Sequence, residues 1–370
     1  MVFKGIRYAR AARFCRPEMV ELPASLDSAL LPPAVCPQRE SRLGGVMGPM
    51  LTSNPLSEDC LHVSVFTPSL EGNRPVMVFA HGGAFVTGSG EFSRYDASRL
   101  SEEGDIVVVN ISYRVGCFGF LYQPERDSVN LGMQDIVCAL RWVRKHISRF
   151  GGDPSRVTLC AQSAGAYAAA SLICESGEEL FRKAILFSAP FPLSASEKHG
   201  RKLLALMKEH AGDLDAAGIQ ELLSAQEKTL SQMHSSMPFC PIGLKRMPRT
   251  HVMPGLEEVM VCCQKDDAQP FSPHPALTTL LTWMIFRFPM YIFAHLLRRR
   301  GVKAQTRVFR WRPDNGGIGA CHTLELPLIF GSWECWQPAN MLAGVTREEY
   351  ERRGAELRSE IASFVCGFDS

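Results

Sequence analysis

Short apolar runs alternate with helical patterns along this chain, and this alternation limits its fold more than any other feature. Runs rich in β-branched and aliphatic residues lie at 76–80, 105–113, 157–160 and 184–188, and strand character returns at 257–263 and 306–311. Runs of this length are typical of strands buried on both faces of a parallel sheet. Helical patterns occupy 130–149, 163–175 and 346–365. The sequence therefore predicts an α/β fold with a mostly parallel central sheet, flanked by helices and joined by right-handed crossovers.

Two helical segments, 196–256 and 270–300, interrupt this alternation. We expect them to form a reduced cap over the sheet of a single domain that spans residues 1–370. The second segment contains the apolar run 281–297, which is shorter than the roughly 20 residues that a membrane span needs. Arg287, Pro289 and His295 also interrupt that run. The sequence therefore predicts a helix or helix pair that is buried in the core or lines a pocket, and no membrane span.

Composition excludes several classes of protein. The chain has 40 Lys and Arg residues against 38 Asp and Glu, a formal net charge of +2, which argues against nucleic acid as a partner. The hydrophobic fraction of 46% argues against disorder. The 13 cysteines include no C-x-x-C pair, so we expect mostly buried thiols. Neither a metal nor an organic cofactor is implied.

The segment Cys160–Gly165, C-A-Q-S-A-G, links a predicted strand to a predicted helix rich in small residues. This is the strand–elbow–helix context of a nucleophilic serine, here Ser163. The turn is tight, so small residues are needed two positions before and after the serine, and Ala161 and Gly165 meet that need. Taken alone, the pattern fits a helix-capping serine equally well.

A glycine-rich turn, His81–Phe85 (H-G-G-A-F), follows the first predicted strand. Glycines at such a turn allow backbone N–H groups to approach a substrate carbonyl and form an oxyanion hole. We predict that Gly83, Ala84 and Ala164 are the donors. An ordinary glycine turn is the alternative, which the order of the two motifs disfavours.

A serine nucleophile also needs a general base and an acid, in the chain order Ser, Asp or Glu, His. His322 lies in a glycine-rich loop just after the predicted strand 306–311, where this kind of fold presents functional groups. Asp267 lies just past another strand and is predicted to orient the His322 ring and to stabilise its charged form. Asp314 and Glu325 are alternative acids.

Several segments in order resemble the type-B carboxylesterases, a family of α/β-hydrolases. The similar segments are FKGIRYA (3–9), SEDCLHVSVFTP (57–68), FGGDPSRVTL (150–159), KAILFSA (183–189), QKDDAQPF (264–271) and GACHTLELPLIFG (319–331). The resemblance implies the α/β-hydrolase fold and a triad of Ser163, His322 and Asp267, with Asp267 where the family usually carries Glu. Cys36 and Cys60 resemble the family's first disulfide pair, a bond that needs an oxidising compartment. Because no signal peptide is visible, we expect them to be cytosolic thiols.

The sequence departs from the family pattern at several points. Gln162 stands where the family usually has a glutamate beside the nucleophile, and the 55 residues from Asp267 to His322 are few for the family. A shorter cap implies a more open or reshaped pocket, or a defective gene product. No signal peptide is visible, so we expect a cytoplasmic protein, or a secreted one if the true N-terminus is missing.

These observations predict a serine hydrolase that cleaves small-molecule carboxylic esters through an acyl-enzyme. An acyltransferase, lactonase or lyase that uses the same triad is an alternative, and so is a non-catalytic, cholinesterase-like binding protein. Aromatic residues that are candidates for an apolar substrate pocket are Phe85, Phe118, Trp283, Phe286 and Phe288. The sequence leaves the oligomeric state open.

Overall fold

The structure is a computed structural model that describes residues 1–26, 30–31, 33–51, 54–233, 235, 237–272, 274–314 and 318–367. The strands are β1 (Val2–Arg7), β2 (Ala9–Arg10), β3 (Glu18–Met19), β4 (His62–Phe66), β5 (Arg74–Ala80), β6 (Val107–Ile111), β7 (Gly152–Gln162), β8 (Lys183–Phe187), β9 (Glu258–Gln264) and β10 (Lys303–Phe309). The helices are α1 (Gly44–Met47), α2 (Ser98–Gly104), α3 (Gly116–Phe120), α4 (Leu131–His146), α5 (Ala164–Glu175), α6 (Glu197–Ala211), α7 (Ile219–Gln232), α8 (Pro275–Leu281), α9 (Phe288–Arg298), α10 (Leu326–Ile329), α11 (Trp333–Trp336) and α12 (Arg347–Cys366).

Eight strands form one sheet in the order β1-β4-β6-β5-β7-β8-β9-β10. The β1–β4 and β4–β6 pairs are antiparallel, and every later pair is parallel. Parallel strands end at the same edge of a sheet. The loops after β5, β7, β9 and β10 therefore meet at the carboxyl edge, where open α/β sheets bind their ligands.

Both faces of the sheet are buried. Along β5, Val76 and Val78 point into one apolar cluster while Met77 and Phe79 point into the other, as the two-residue period of a strand requires. Helices α4 and α5 pack on the first face and α12 packs on the second. This three-layer arrangement confirms the predicted fold class.

The predicted strands agree with β5 to β10, but β1 and β4 were not predicted from apolar runs. Strand β4 includes His62 and Ser64, and β1 includes Lys4 and Gly5, so neither reads as a continuous apolar segment. Their pairing depends on antiparallel contacts with each other and with β6, which local composition does not encode.

The apolar run 281–297 belongs to a longer continuous helix than predicted, Pro275–Arg298. A π-helical segment, Thr282–Arg287, joins α8 to α9, and the Phe288 N–H donates to the Trp283 carbonyl five residues earlier. This wider spacing immediately precedes Pro289, which has no N–H of its own. The expectation of a buried helix is only half right, because the outer face is exposed.

Cys36 and Cys60, the possible disulfide pair, are free thiols in the structure. Both are buried, and a hydrogen bond between the thiols together with burial raises the pKa of Cys60 well above its usual value. A high pKa disfavours the thiolate that oxidation requires. The Cys36 sulfur also accepts a hydrogen bond from the Val115 N–H at 3.4 Å.

Glu91 is a buried carboxyl group that makes folding sensitive to pH. The Ser64 hydroxyl donates to Oε2 at 2.7 Å, and Oε1 has no partner among the described residues. Burial raises the pKa of Glu91 to about 7. The folded state therefore binds more protons than the unfolded state between about pH 4.5 and 7, so this group lowers stability as the pH rises through that interval.

We expect the free energy of unfolding of Glu91→Gln, relative to that of the wild type, to increase as the pH rises. The relative gain from pH 4.5 to pH 8 should be on the order of 3 kcal/mol, at about 1.4 kcal/mol for each pKa unit. Urea unfolding at the two pH values measures it. Glu102→Gln, an exposed glutamate on α2, is the matched control and should track the wild type. Equal pH dependence in Glu91→Gln and the wild type would contradict the prediction.

Candidate active site

Ser163 lies at the sharp turn between β7 and α5. Its backbone has φ 53° and ψ −116°, a strained conformation for a residue other than glycine, and its side chain is partly exposed. The helix after it packs closely on β5: a Cβ added at Gly165 would lie 2.3 Å from the Ala80 carbonyl oxygen. The turn therefore needs a very small residue at position 165, as the sequence indicated.

Ser163, His322 and Asp267 form one hydrogen-bonded chain, although they follow three different strands. The Ser163 hydroxyl oxygen is 2.8 Å from His322 Nε2, and His322 Nδ1 is 2.6 Å from Asp267 Oδ1. A carboxylate can only accept, so Nδ1 carries the proton and Nε2 accepts from the serine. His322 is 2% exposed and Asp267 is fully buried.

The second oxygen of Asp267 is held independently of the histidine. Asp267 Oδ2 accepts from the Ser188 hydroxyl at 2.7 Å and from the Gln264 N–H at 2.8 Å. Hydrogen bonds from several donors stabilise a charged acceptor, so these two bonds stabilise the buried Asp267 carboxylate. The two bonds leave Oδ1 directed at His322.

The other acidic residues near the site have different surroundings. Asp266 accepts from the Ala320 N–H at 3.2 Å and so contacts the loop that carries His322. Asp314 is exposed, and Glu325 accepts from the Gln264 side chain at 2.6 Å. Burial raises the pKa of Glu325 to about 7. No hydrogen bond joins either alternative acid to His322 within the described part of the chain.

The His81–Phe85 loop lies against Ser163. A Cβ added at Gly82 would be 3.0 Å from the Ser163 Cβ. Gly83 and Ala84 have φ of 114° and 55°, and the N–H groups of Gly83, Ala84 and Ala164 have no acceptor among the described residues. Three free N–H groups beside the serine are available to a ligand oxygen.

Gly83→Ala is expected to lower kcat by about 100-fold, the usual effect of losing one oxyanion donor. An added Cβ would lie 2.0 Å from the Thr87 carbonyl oxygen at a φ that alanine rarely adopts, so the loop must shift. Ester turnover and thermal melting of the purified variant measure the effect.

The matched control is Gly45→Ala, where an added Cβ meets no atom within 4 Å. That variant should keep wild-type turnover. Wild-type kcat in Gly83→Ala would argue against this loop as the oxyanion site.

Gln162 places an amide beside the histidine. Its Nε2 lies 3.3 Å from His322 Nε2, and the side chain is 2% exposed. An amide N–H in this position can donate to the same lone pair that accepts from Ser163. The sequence showed that Gln162 stands where the family usually has a glutamate, but it did not predict the contact between Gln162 and His322.

The five predicted pocket aromatics divide into three groups. Phe286 packs on His322, with ring centroids 5.5 Å apart. Trp283 and Phe288 stack on each other at 6.2 Å and are about half exposed. Phe85 and Phe118 are buried, and neither contacts the His322 ring among the described aromatic pairs.

The assignment of Phe85 and Phe118 to the pocket is therefore corrected. Phe85 packs on Phe120 and Tyr167, and Phe118 lines a small cavity with Arg13 and Glu58. Apolar composition alone does not distinguish a core ring from a pocket ring.

Sequence reasoning missed Phe271, whose ring lies edge-on to His322 at 5.3 Å and is 46% exposed. The available signal was the phenylalanine four residues after Asp267 in the segment QKDDAQPF. Phe271 and Phe286 together form an apolar border at the entrance of the site.

Two broader features of the structure bear on partners. Within the described ranges, no group of three or more His, Cys, Asp or Glu side chains is arranged to hold a metal ion. By length and composition alone, Pro275–Arg298 is the one helix found there that is apolar enough to cross a membrane, with 39% of its most apolar window buried.

The sheet order, the elbow and the residues beside it define an α/β-hydrolase. A sequence profile of the carboxylesterase family matches residues 1–242. A probable N-octanoylanthranilate hydrolase of Rhodococcus erythropolis is 35% identical, over 98% of this chain and 88% of that protein. The para-nitrobenzyl esterase of Bacillus subtilis is 39% identical over 63% of this chain and 46% of its own length.

Solved structures agree with these sequence matches. A PNB esterase superposes with a TM-score of 0.82 at 26% identity, covering 98% of this chain and 86% of that one. A Geobacillus stearothermophilus carboxylesterase gives a TM-score of 0.80 at 27% identity, covering 100% and 87%. This chain belongs to the carboxylesterase family, type B, and is a carboxylic ester hydrolase.

Proposed function

We propose that this protein hydrolyses small carboxylic esters through a covalent acyl-enzyme on Ser163. The observation that carries the proposal is the hydrogen-bonded chain from Ser163 Oγ through His322 to Asp267, at 2.8 Å and 2.6 Å. Such a chain makes a neutral serine nucleophilic, because the imidazole takes its proton as the new bond forms.

The first half of the reaction forms the acyl-enzyme. Ser163 Oγ attacks the ester carbonyl carbon while its proton passes to His322 Nε2. The carbonyl oxygen becomes an oxyanion that accepts from the N–H groups of Gly83, Ala84 and Ala164. When the intermediate collapses, the ester C–O bond breaks and His322 gives its proton to the departing alcohol.

The second half releases the acid. Water gives a proton to His322 and attacks the acyl carbon, and the returned proton restores Ser163. Asp267 stays ionised throughout and stabilises the charged imidazole that forms in each half. No cofactor takes part in these steps.

Apolar substrates suit the border of the site. Phe271 and Phe286 flank the His322 ring, so an alkyl or aryl group would replace water against them. We propose esters with a medium-length acyl chain or an aromatic alcohol as the substrate class. A second candidate is cleavage of an N-acyl arylamine, favoured by the similarity to the probable N-octanoylanthranilate hydrolase of Rhodococcus erythropolis.

The test is rapid-mixing hydrolysis of p-nitrophenyl acetate and butyrate by the purified protein, with N-octanoylanthranilate assayed in parallel. We expect a burst of one p-nitrophenolate per site, then slower steady turnover, since the acyl-enzyme accumulates. Mass spectrometry after an organophosphonate probe should place the adduct on the peptide containing Ser163.

Added alcohols separate hydrolysis from acyl transfer. If an alcohol acceptor captures most of the acyl group at millimolar concentration, the protein is a transferase rather than a hydrolase. Folded protein that neither bursts nor takes the probe would contradict the acyl-enzyme and favour the binding-protein alternative.

A further inference from the structure

The helical run Pro275–Arg298 carries an apolar outer face beside the candidate active site. Six large apolar side chains on this run are each 42–56% exposed. They are Leu277, Leu280, Trp283, Met284, Phe288 and Tyr291. From Leu277 to Tyr291 the face extends about 21 Å at 1.5 Å per residue. A continuous apolar surface of this size is uncommon on a free protein and marks an interaction site.

The inner face of the same run is packed into the protein. Phe286, Phe293 and Leu297 are buried, and the Phe293 ring packs on Phe191 with centroids 4.8 Å apart. The helix is therefore fixed along the sheet and cannot cross a bilayer without leaving the core. Any partner that binds the outer face must therefore bind a helix that lies parallel to the protein surface.

The charge around this face is strongly one-sided. No Asp or Glu occurs in residues 268–313, whereas eight Lys and Arg occur there in a chain whose net charge is only +2. They are Arg287, Arg298, Arg299, Arg300, Lys303, Arg307, Arg310 and Arg312. Among the described residues only Arg307 pairs with a carboxylate, Glu360 at 3.0 Å. The other seven form no ion pair with a carboxylate among the described residues, although Arg287, Arg298 and Arg300 donate to backbone carbonyls.

We propose that the outer face of Pro275–Arg298 docks on the surface of an anionic lipid bilayer. Apolar and aromatic side chains along one face, with unpaired arginines and no acids, are the features that place a helix in the headgroup region. A second copy of the same face would bring like charges together, so self-association is disfavoured.

This docking would place the candidate active site beside the membrane surface. Phe271, which is 46% exposed, and Phe286, on the inner face of the docked helix, both contact His322. Apolar substrates dissolved in the lipid would then lie close to the apolar border of the site. The docking itself does not depend on the proposed catalytic chemistry, and its test needs no turnover.

The test is co-sedimentation of the full chain with vesicles of phosphatidylcholine alone or with 30% phosphatidylglycerol. We expect binding to the mixed vesicles that weakens in high salt, and little to phosphatidylcholine alone. Tryptophan emission should shift to the blue and be quenched by brominated lipid. Because Trp311 and Trp333 are also partly exposed, the change is assigned to Trp283 by its loss in a variant that lacks Trp283.

Charge removal provides the matched comparison. The triple variant Arg298→Gln, Arg299→Gln, Arg300→Gln should lose at least about tenfold in binding to the mixed vesicles. The control, Lys198→Gln, Lys202→Gln, Lys208→Gln, removes the same charge from exposed positions on α6 and should bind like the wild type.

The apolar contribution is tested by Trp283→Gln with Phe288→Gln, both half exposed and so compatible with folding, as circular dichroism will check. This variant should also lose binding. Equal sedimentation with both lipids, or equal loss in the two triple variants, would overturn the proposal. So would a dimer in solution that this variant dissociates while vesicle binding is absent.

Discussion

Replacing Ser163 with alanine is expected to lower kcat for p-nitrophenyl butyrate by about 10⁴-fold or more, as the loss of a triad nucleophile does in serine hydrolases. The serine oxygen is the atom that would bond to the acyl group, and no neighbouring side chain can replace it. His322 Nε2 would keep its place but have no hydroxyl proton to accept. Steady-state hydrolysis by the purified variant beside the wild type measures the change.

The fold of the Ser163→Ala variant must be checked separately, because Ser163 is strained at φ 53°. Alanine has a Cβ of the same size, so we expect a melting temperature within a few degrees of the wild type. Ser171→Ala, on the same helix and away from the turn, serves as a control of similar chemistry and should keep its activity. Turnover that persists in a folded Ser163→Ala variant would remove Ser163 from the mechanism.

Asp267→Asn should lower kcat by about 10³- to 10⁴-fold while leaving the fold intact. An asparagine amide can donate to His322 Nδ1, which favours the ring tautomer with the proton on Nε2. That tautomer cannot accept the proton of Ser163. The effect should lie mainly in kcat, since Asp267 is buried and does not meet the substrate.

Two further variants serve as comparisons for Asp267→Asn. Asp266→Asn removes a neighbouring charge whose carboxylate accepts from the Ala320 N–H, and it should change kcat less than about tenfold. Glu325→Gln tests the buried alternative acid, which bonds to Gln264. Near-normal turnover in Asp267→Asn with a large loss in Glu325→Gln would transfer the role to Glu325.

The structure also shows how an aspartate reaches His322 at the position where the family usually carries the longer glutamate. The Gln264 N–H donates to Asp267 Oδ2 only three residues away, which folds the turn after β9 back on itself. The carboxylate then lies 2.6 Å from His322 despite its shorter side chain. The chain length between the acid and the histidine does not prevent the contact, because β9 and β10 are adjacent parallel strands.

Errors in the sequence-based predictions share a physical origin. Phe85 and Phe118 were named among the candidates for an apolar substrate pocket, yet both are core residues. Composition records how apolar a residue is, and only packing determines which surface it meets.

The fold class, the elbow at Ser163 and the order of the candidate site residues could all be predicted from the sequence, because they depend on local patterns. Buried strands need runs of apolar residues, tight turns need small ones, and both requirements can be read within a few positions. Three features became visible only in the folded protein. Asp267 rather than Asp314 or Glu325 contacts His322, Phe271 borders the site, and Pro275–Arg298 leaves an apolar face exposed. Those outcomes depend on which strands and helices lie side by side, and contacts between residues 55 or 159 positions apart leave no periodic signal in the chain.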